Sequence, residues 1–105
     1  MKADELETLK ERLEPFFQGK SVRKAVLFGF AARDRETRRS DLDLMIVYDT
    51  DKRFFDRYEE FEAIYELLPG HAIDMLIYTP QELERISHRK FIQTIHTQGK
   101  VLYEH

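Results

Sequence analysis

Cysteine is absent from these 105 residues. That removes a disulfide framework, a thiolate zinc site and a thiol nucleophile together. Glycine and proline are scarce, at 4 and 3, and the chain has no low-complexity tract and no linker longer than a turn. Nor does any apolar run approach the ~18–20 residues of a membrane span, so no membrane contact is expected. The charged opening Met1-Lys2-Ala3-Asp4-Glu5 is unlike a signal peptide, which makes an intracellular, cytoplasmic domain the expectation. Charge of one sign is in short supply too: 17 basic and 20 acidic residues leave −3 with histidines neutral. So mild a balance argues against broad, non-specific grip on nucleic acid, which phosphate neutralisation drives.

What is present is enough to build a core. Hydrophobic residues make up 42%, with 8 Phe and 5 Tyr among them, too many for a disordered chain. The length leaves room for one domain, residues 1–105. Asp4 with Glu7 reads as a capping box ahead of Leu6, Leu9 and Leu13 at helical spacing, with Pro15 expected to end or bend the last turn. Ala25-Val26-Leu27-Phe28 is a short apolar run of the kind that forms a buried strand, closed by Gly29. Leu42 to Tyr48 and Ala72 to Tyr78 are two more such runs. Between them Phe54, Tyr58, Phe61, Tyr65 and Leu68 trace one face of a helix, read as core, whose surplus aromatic surface could seat a second copy. Thr79-Pro80-Gln81-Glu82 combines an N-cap, a first-turn proline and a capping-box glutamate. Phe91, Ile92 and Ile95 predict a helix before Gly99, and Val101-Leu102-Tyr103 a short last strand. The pattern predicts an α/β (α+β) domain: a small mixed β-sheet covered by helices.

Three acids stand where composition does not explain them. Asp41 and Asp43 flank Leu42 at the head of the second strand run, on one face, with Cα atoms about 6.5–7 Å apart. Left alone, such a pair repels and raises its own pKa values; a hard divalent cation such as Mg²⁺ or Mn²⁺ between them removes that cost. Asp74 lies inside the apolar run Ala72–Ile77, where a carboxylate is costly unless paired, hydrated or metal-bound. If the two strands are neighbours with matching ends, three carboxylates converge, as a two-metal phosphoryl-transfer site requires. Solvated strand-end acids are the alternative reading. Ahead of them Gly29, a strand end, meets Phe30-Ala31-Ala32-Arg33, which looks like a helix start suited to an anion, with Arg33 as a charge-assisted donor.

Val26-Leu27-Phe28-Gly29-Phe30-Ala31-Ala32-Arg33 followed by Ser40-Asp41-Leu42-Asp43-Leu44 resembles the polymerase-beta-like nucleotidyltransferases, and most of all the small minimal nucleotidyltransferases. Their motif is Gly-Ser, ten residues, Asp-x-Asp, then a third Asp on a following strand. Here Gly29-Phe30, residues 31–40, Asp41-Leu42-Asp43 and Asp74 reproduce that spacing, and the likeness runs over nearly the whole chain. The resemblance implies that fold, a nucleoside triphosphate such as ATP, two Mg²⁺ ions and transfer of a nucleotidyl group to a protein or RNA acceptor. It implies Asp41, Asp43 and Asp74 as metal ligands, with Asp74 also helping to deprotonate the acceptor. Gly29 and the N–H groups from Phe30 onward would receive the triphosphate, with Arg33 assisting. It also implies pairing with a HEPN-domain toxin, for which the chain would be the antitoxin.

Two positions depart from the family pattern: Phe30 replaces the serine, and Asp34 stands where a glycine often follows the arginine. By analogy with an oxyanion-hole donor, losing the serine hydroxyl costs on the order of 10²-fold where that bond matters. A binding module that silences a HEPN-type partner by contact alone is therefore the second functional expectation. Arg33, Arg35, Arg38 and Arg39, net +2 after Asp34 and Glu36, read as a solvated loop or a grip for RNA or a partner. His71, His88, His96 and His105 lack ligand spacing and read as surface or capping residues. Nothing at this length is left over to select an acceptor, so an associated protein is expected to supply that choice.

Overall fold

The computed structural model describes residues 3–29 and 41–105. In order these form α1 (Ala3–Gln18), β1 (Val22–Phe28), β2 (Leu42–Tyr48), a 3₁₀ segment (Phe54–Phe61), α2 (Ala63–Leu67), β3 (Ile73–Tyr78), α3 (Pro80–Arg85), α4 (Lys90–Gln98) and β4 (Lys100–Glu104). The sheet runs β3-β2-β1-β4, with β1 antiparallel to β2 and β4, and β2 parallel to β3. It is mixed, four-stranded and covered on both faces, as the apolar runs require.

Alternation along the strands sorts the two faces. Leu42, Leu44 and Ile46 join Ala25, Leu27, Leu102, Ile73, Met75 and Ile77 against Leu9, Leu13 and Phe17 of α1 and against Phe61 and Ile64. Met45, Val47 and Val26 face the other way, onto Ile92 and Ile95 of α4. The central strands β1 and β2 therefore bury both sides, which is why β2 reads as one continuous hydrophobic run. Among the described residues no helix is long and apolar enough to cross a membrane.

Two expectations about the helices are corrected, and that for Pro15 is narrowed. Helix α1 already includes Ala3, so Asp4 lies in its first turn, where its Oδ1 accepts from Glu5 N at 3.1 Å rather than closing a box with Glu7. Pro15 does not end α1, which continues to Gln18. The proline forfeits one backbone bond, but the last turn carries Phe17, fully buried against Tyr103 with ring centroids 5.5 Å apart. The aromatic stripe after β2 is not one α-helix. Its first part winds as 3₁₀, advancing about 120° per residue, so the predicted face drifts out of phase. Arg57, Phe61, Ile64 and Leu68 turn inward, while Tyr65 is 48% and Phe55 82% exposed.

The inward Arg57 fastens this segment to the start of α3. Its Nε donates to Lys52 O at 2.9 Å and its Nη1 to Ile77 O at 3.0 Å, and its fork grips both oxygens of Glu82 at 2.7 and 3.0 Å. Glu82 also completes the expected capping box: Thr79 N donates to its Oε1 at 2.9 Å, and Glu82 N donates to Thr79 Oγ1 at 3.1 Å. Tyr58 adds a bond from its hydroxyl to Met75 O at 2.7 Å. Those ties run along β3, the strand that presents Asp74.

Candidate active site

The heads of β2 and β3 lie level because Leu42 N donates to Ala72 O at 2.8 Å and the parallel ladder follows from there. Its register pairs Leu42 with Ile73 and Asp43 with Asp74. Adjacent strands are about 4.8 Å apart, so these two carboxylates leave neighbouring backbones at one level. Asp41, exposed and just ahead of β2, shares the parity of Asp43. The sequence-predicted trio thus converges on one end of the sheet. A parallel pair of strands cannot be joined by a tight hairpin, and its register is not readable from either strand alone.

Electrostatics reports the same convergence. The Asp43 pKa is raised, first by burial, then by the charges of Asp74 and Asp41. Among the described residues, no group of three or more His, Cys, Asp or Glu side chains is gathered closely enough to hold an ion as it stands. The donors are nonetheless hard oxygens under mutual repulsion, the chemistry that suits Mg²⁺ or Mn²⁺.

Gly29 completes the edge. The last residue of β1, Phe28, is the cross-strand partner of Asp43, and Gly29 turns the chain away with φ +77°. A β-carbon at position 29 would overlap Asp43 Oδ2 and stand 3.3 Å from its Cγ. Glycine is thus needed twice, for a left-handed backbone and for close approach to the carboxylate. Gly70 offers a built-in comparison, with φ +88° and nothing within 4 Å of the same notional carbon. Gly70→Ala should lose only the left-handed penalty, about 1–2 kcal/mol. Gly29→Ala should lose that and displace Asp43, so its loss should exceed what Gly70→Ala shows. Thermal melts of the two variants measure the difference; equal losses would contradict the steric role.

The predicted nucleotide-binding residues Phe30 and Arg33 lie outside the described residues, as do Asp34, Arg35, Arg38 and Arg39. His88, His96 and His105 are exposed, and His96 and His105 line a hollow of about 470 Å³ with Arg23, Lys24 and Val47, away from the three acids. Tyr48, at the far end of β2, gives its hydroxyl to Glu60, and burial with that bond pushes its pKa up to about 12. It is held as a phenol, remote from the acids.

Sequence reasoning missed a hollow beside the site. It measures about 180 Å³ and lies between the end of β1 and α4. The helix periodicity groups Phe91 with buried Ile92 and Ile95, yet Phe91 is 54% exposed and stands edge-on to Phe28. No pattern in the sequence marks which helix lies beside Gly29.

An α+β sheet with two acids at the head of one strand, a third beside them and a glycine turn alongside defines the class. The chain belongs to the polymerase beta nucleotidyltransferase family, whose model matches residues 11–105. Solved structures share the fold. A chain of a toxin–antitoxin complex with AMP-PNP superposes with TM-score 0.65 at 18% identity, covering 91% of this chain and 73% of the other. A chain from a Shewanella oneidensis complex of a tri-AMPylated HEPN toxin with its MNT antitoxin gives 0.62 at 16%, covering 95% and 73%. A Sulfolobus solfataricus nucleotidyltransferase-like protein gives 0.61 at 19%, covering 94% and 79%. No curated protein matches the sequence.

Proposed function

We propose that this chain is a metal-dependent nucleotidyltransferase of the minimal type that moves AMP from ATP onto a HEPN-type partner protein, acting as its antitoxin in the cytoplasm. The observation that carries the reading is the alignment of Asp74, Asp43 and Gly29 along one sheet end. The solved relatives support the choice of nucleotide and partner, since one holds AMP-PNP and another contains a tri-AMPylated HEPN toxin.

Asp41, Asp43 and Asp74 would hold two Mg²⁺ ions, which Mn²⁺ could replace. Bound there, the ions supply Lewis acidity toward the phosphate oxygens and offset the charge of three acids. Asp74, on the edge strand, is the base that takes the proton from an incoming acceptor hydroxyl. The acceptor oxygen bonds to the α-phosphorus, the bond to the bridging oxygen breaks, and pyrophosphate leaves. Gly29 keeps the turn clear of side chain so that the phosphates lie against backbone. Arg33 supplies a charge-assisted donor to the triphosphate.

Phe30 favours a second reading, silencing by contact alone, because it removes the family's hydroxyl donor. The two readings part in one experiment. Purified chain, Mg²⁺, labelled ATP and the cognate HEPN partner are mixed, and label on the partner and recovery of partner activity are followed. Wild type should label the partner, and the double variant Asp41→Ala/Asp43→Ala should bind it without labelling or silencing it. Full silencing by that variant would establish contact as sufficient for silencing, and absence of label with wild type would defeat the transferase reading.

A further inference from the structure

We propose that the hollow beside Gly29 seats the base of the nucleoside triphosphate, with Phe91 as its stacking face and Gln98 as its hydrogen-bonding edge. The inference rests on the nucleotidyltransferase reading and adds the residues that choose the base. The hollow, about 180 Å³, is lined by Phe28, Gly29, Phe91, Thr94, Ile95 and Gln98. Its place relative to the carboxylates follows from the sheet. Phe28 and Asp43 are directly opposed in the β1–β2 ladder, so their side chains share a face and lie within about 5.5 Å at Cβ. The hollow therefore begins one side chain from Asp43, on the β1 side, whereas Asp74 lies on the β3 side. A nucleotide with its phosphates at Gly29 and Asp43 brings its base to α4, and the acceptor is left the opposite approach, past Asp74.

The lining has the chemistry a base needs. Phe91, Thr94, Ile95 and Gln98 are spaced i, i+3, i+4 and i+7, one continuous face of α4. Phe91 is 54% exposed and meets Phe28 edge-on, at 5.7 Å and 84°. Ile95, buried, closes the floor. Among the described residues, neither the Thr94 hydroxyl nor the Gln98 carboxamide has a hydrogen-bond partner. A carboxamide sets a donor beside an acceptor, the pair that complements the N6/N7 edge of adenine. The seat is apolar on its faces and polar at one edge, which fits a purine, and among the described residues no cationic side chain lines it.

The test compares affinities for ATP, GTP and inorganic tripolyphosphate with Mg²⁺, using the full chain and titration calorimetry. Phe91→Ala should weaken ATP by about ten- to hundredfold, the worth of one base–aromatic stack, and leave tripolyphosphate unchanged. Phe91→Tyr should restore ATP, and Gln98→Leu should narrow the preference for ATP over GTP. If Phe91→Ala binds ATP as wild type does, with its circular dichroism intact, the base lies elsewhere and only this proposal falls. Equal weakening of ATP and tripolyphosphate would trace the loss to the fold and overturn it as well. Wild type binding neither probe would remove the nucleotidyltransferase reading itself.

Discussion

Replacing Asp43 by asparagine is expected to cut nucleotidyl transfer by about 10³-fold or more, several kcal/mol of transition-state stabilisation, while leaving the domain at least as stable at neutral pH. The side chain is nearly isosteric, and the carboxylate it replaces is held beside two others. Burial and the charges of Asp74 and Asp41 raise the Asp43 pKa above its ordinary 3.8 in the folded chain. Between 3.8 and that raised value the folded state binds more protons than the unfolded one. Stability contributed by this group therefore falls as pH rises through the interval, and the penalty is fully present above it. Denaturant titrations across pH 3–8 without divalent cation should show wild type losing stability relative to Asp43→Asn over that window, the Glu82 contribution being common to both. Added Mg²⁺ should then raise the melting temperature of wild type and leave the variant where it was. Wild-type activity in Asp43→Asn would remove this residue from the site.

The largest loss of stability is expected away from the acids, at Arg57. Its side chain is 5% exposed and binds Glu82 with both arms of its fork while also satisfying Lys52 O and Ile77 O. Arg57→Ala opens a cavity, leaves the buried Ile77 carbonyl and the part-buried Lys52 carbonyl without this donor and strips Glu82 of its partner. Removing one member of such a pair costs about 3–5 kcal/mol, and Glu82, 35% exposed, recovers part of its share from water, so about 3 kcal/mol is expected. In a domain of this size that lowers the melting temperature by roughly 12 °C or more. The pH signature is separate. Hydrogen bonds from Arg57, with the Thr79 N–H, hold Glu82 down at about 2 against an ordinary 4.5. Stability from this group is complete above 4.5 and is lost as pH falls toward 2. Arg57→Ala should flatten most of that acid limb, and Glu82→Gln should do so at a smaller cost near pH 7. A melting temperature within a few degrees of wild type for Arg57→Ala would show the pair to be dispensable.

The two variants separate the acids at the head of the sheet from the packing along β3. Arg57 and Tyr58 tie the 3₁₀ segment to Ile77 O and Met75 O, while Asp74, next to Met75, stands level with Asp43 on β2. The ties carry stability, and the acids carry repulsion that a cation can relieve. Natural sites keep such repulsion because the chemistry needs it.

Much of this was legible in the residues. Leu42–Tyr48 appears as a strand with those same ends, and Thr79 caps α3 through Glu82 as its sequence predicts. Both signals are local: an apolar run and a set of hydrogen bonds spanning three residues. The 3₁₀ winding after β2 was not legible, because one aromatic stripe fits several helical pitches until β3 supplies partners for Arg57 and Tyr58. The helix carrying Phe91, Ile92 and Ile95 was legible, but not which of the three stays exposed, since spacing gives a face and not what lies opposite it.

By itself the sequence determined the inventory and spacing of the candidate site: Gly29-Phe30, ten residues, then Asp41 and Asp43, and Asp74 within a third apolar run. Tertiary structure alone decided that Asp43 stands level with Asp74, that Gly29 rests on the Asp43 carboxylate, and that Phe91 borders a hollow one side chain away. The physical reason is range. Periodicity and capping are written in neighbours a few residues apart, whereas register, burial of charge and the shape of a cleft depend on groups distant in the chain that meet only when the sheet closes.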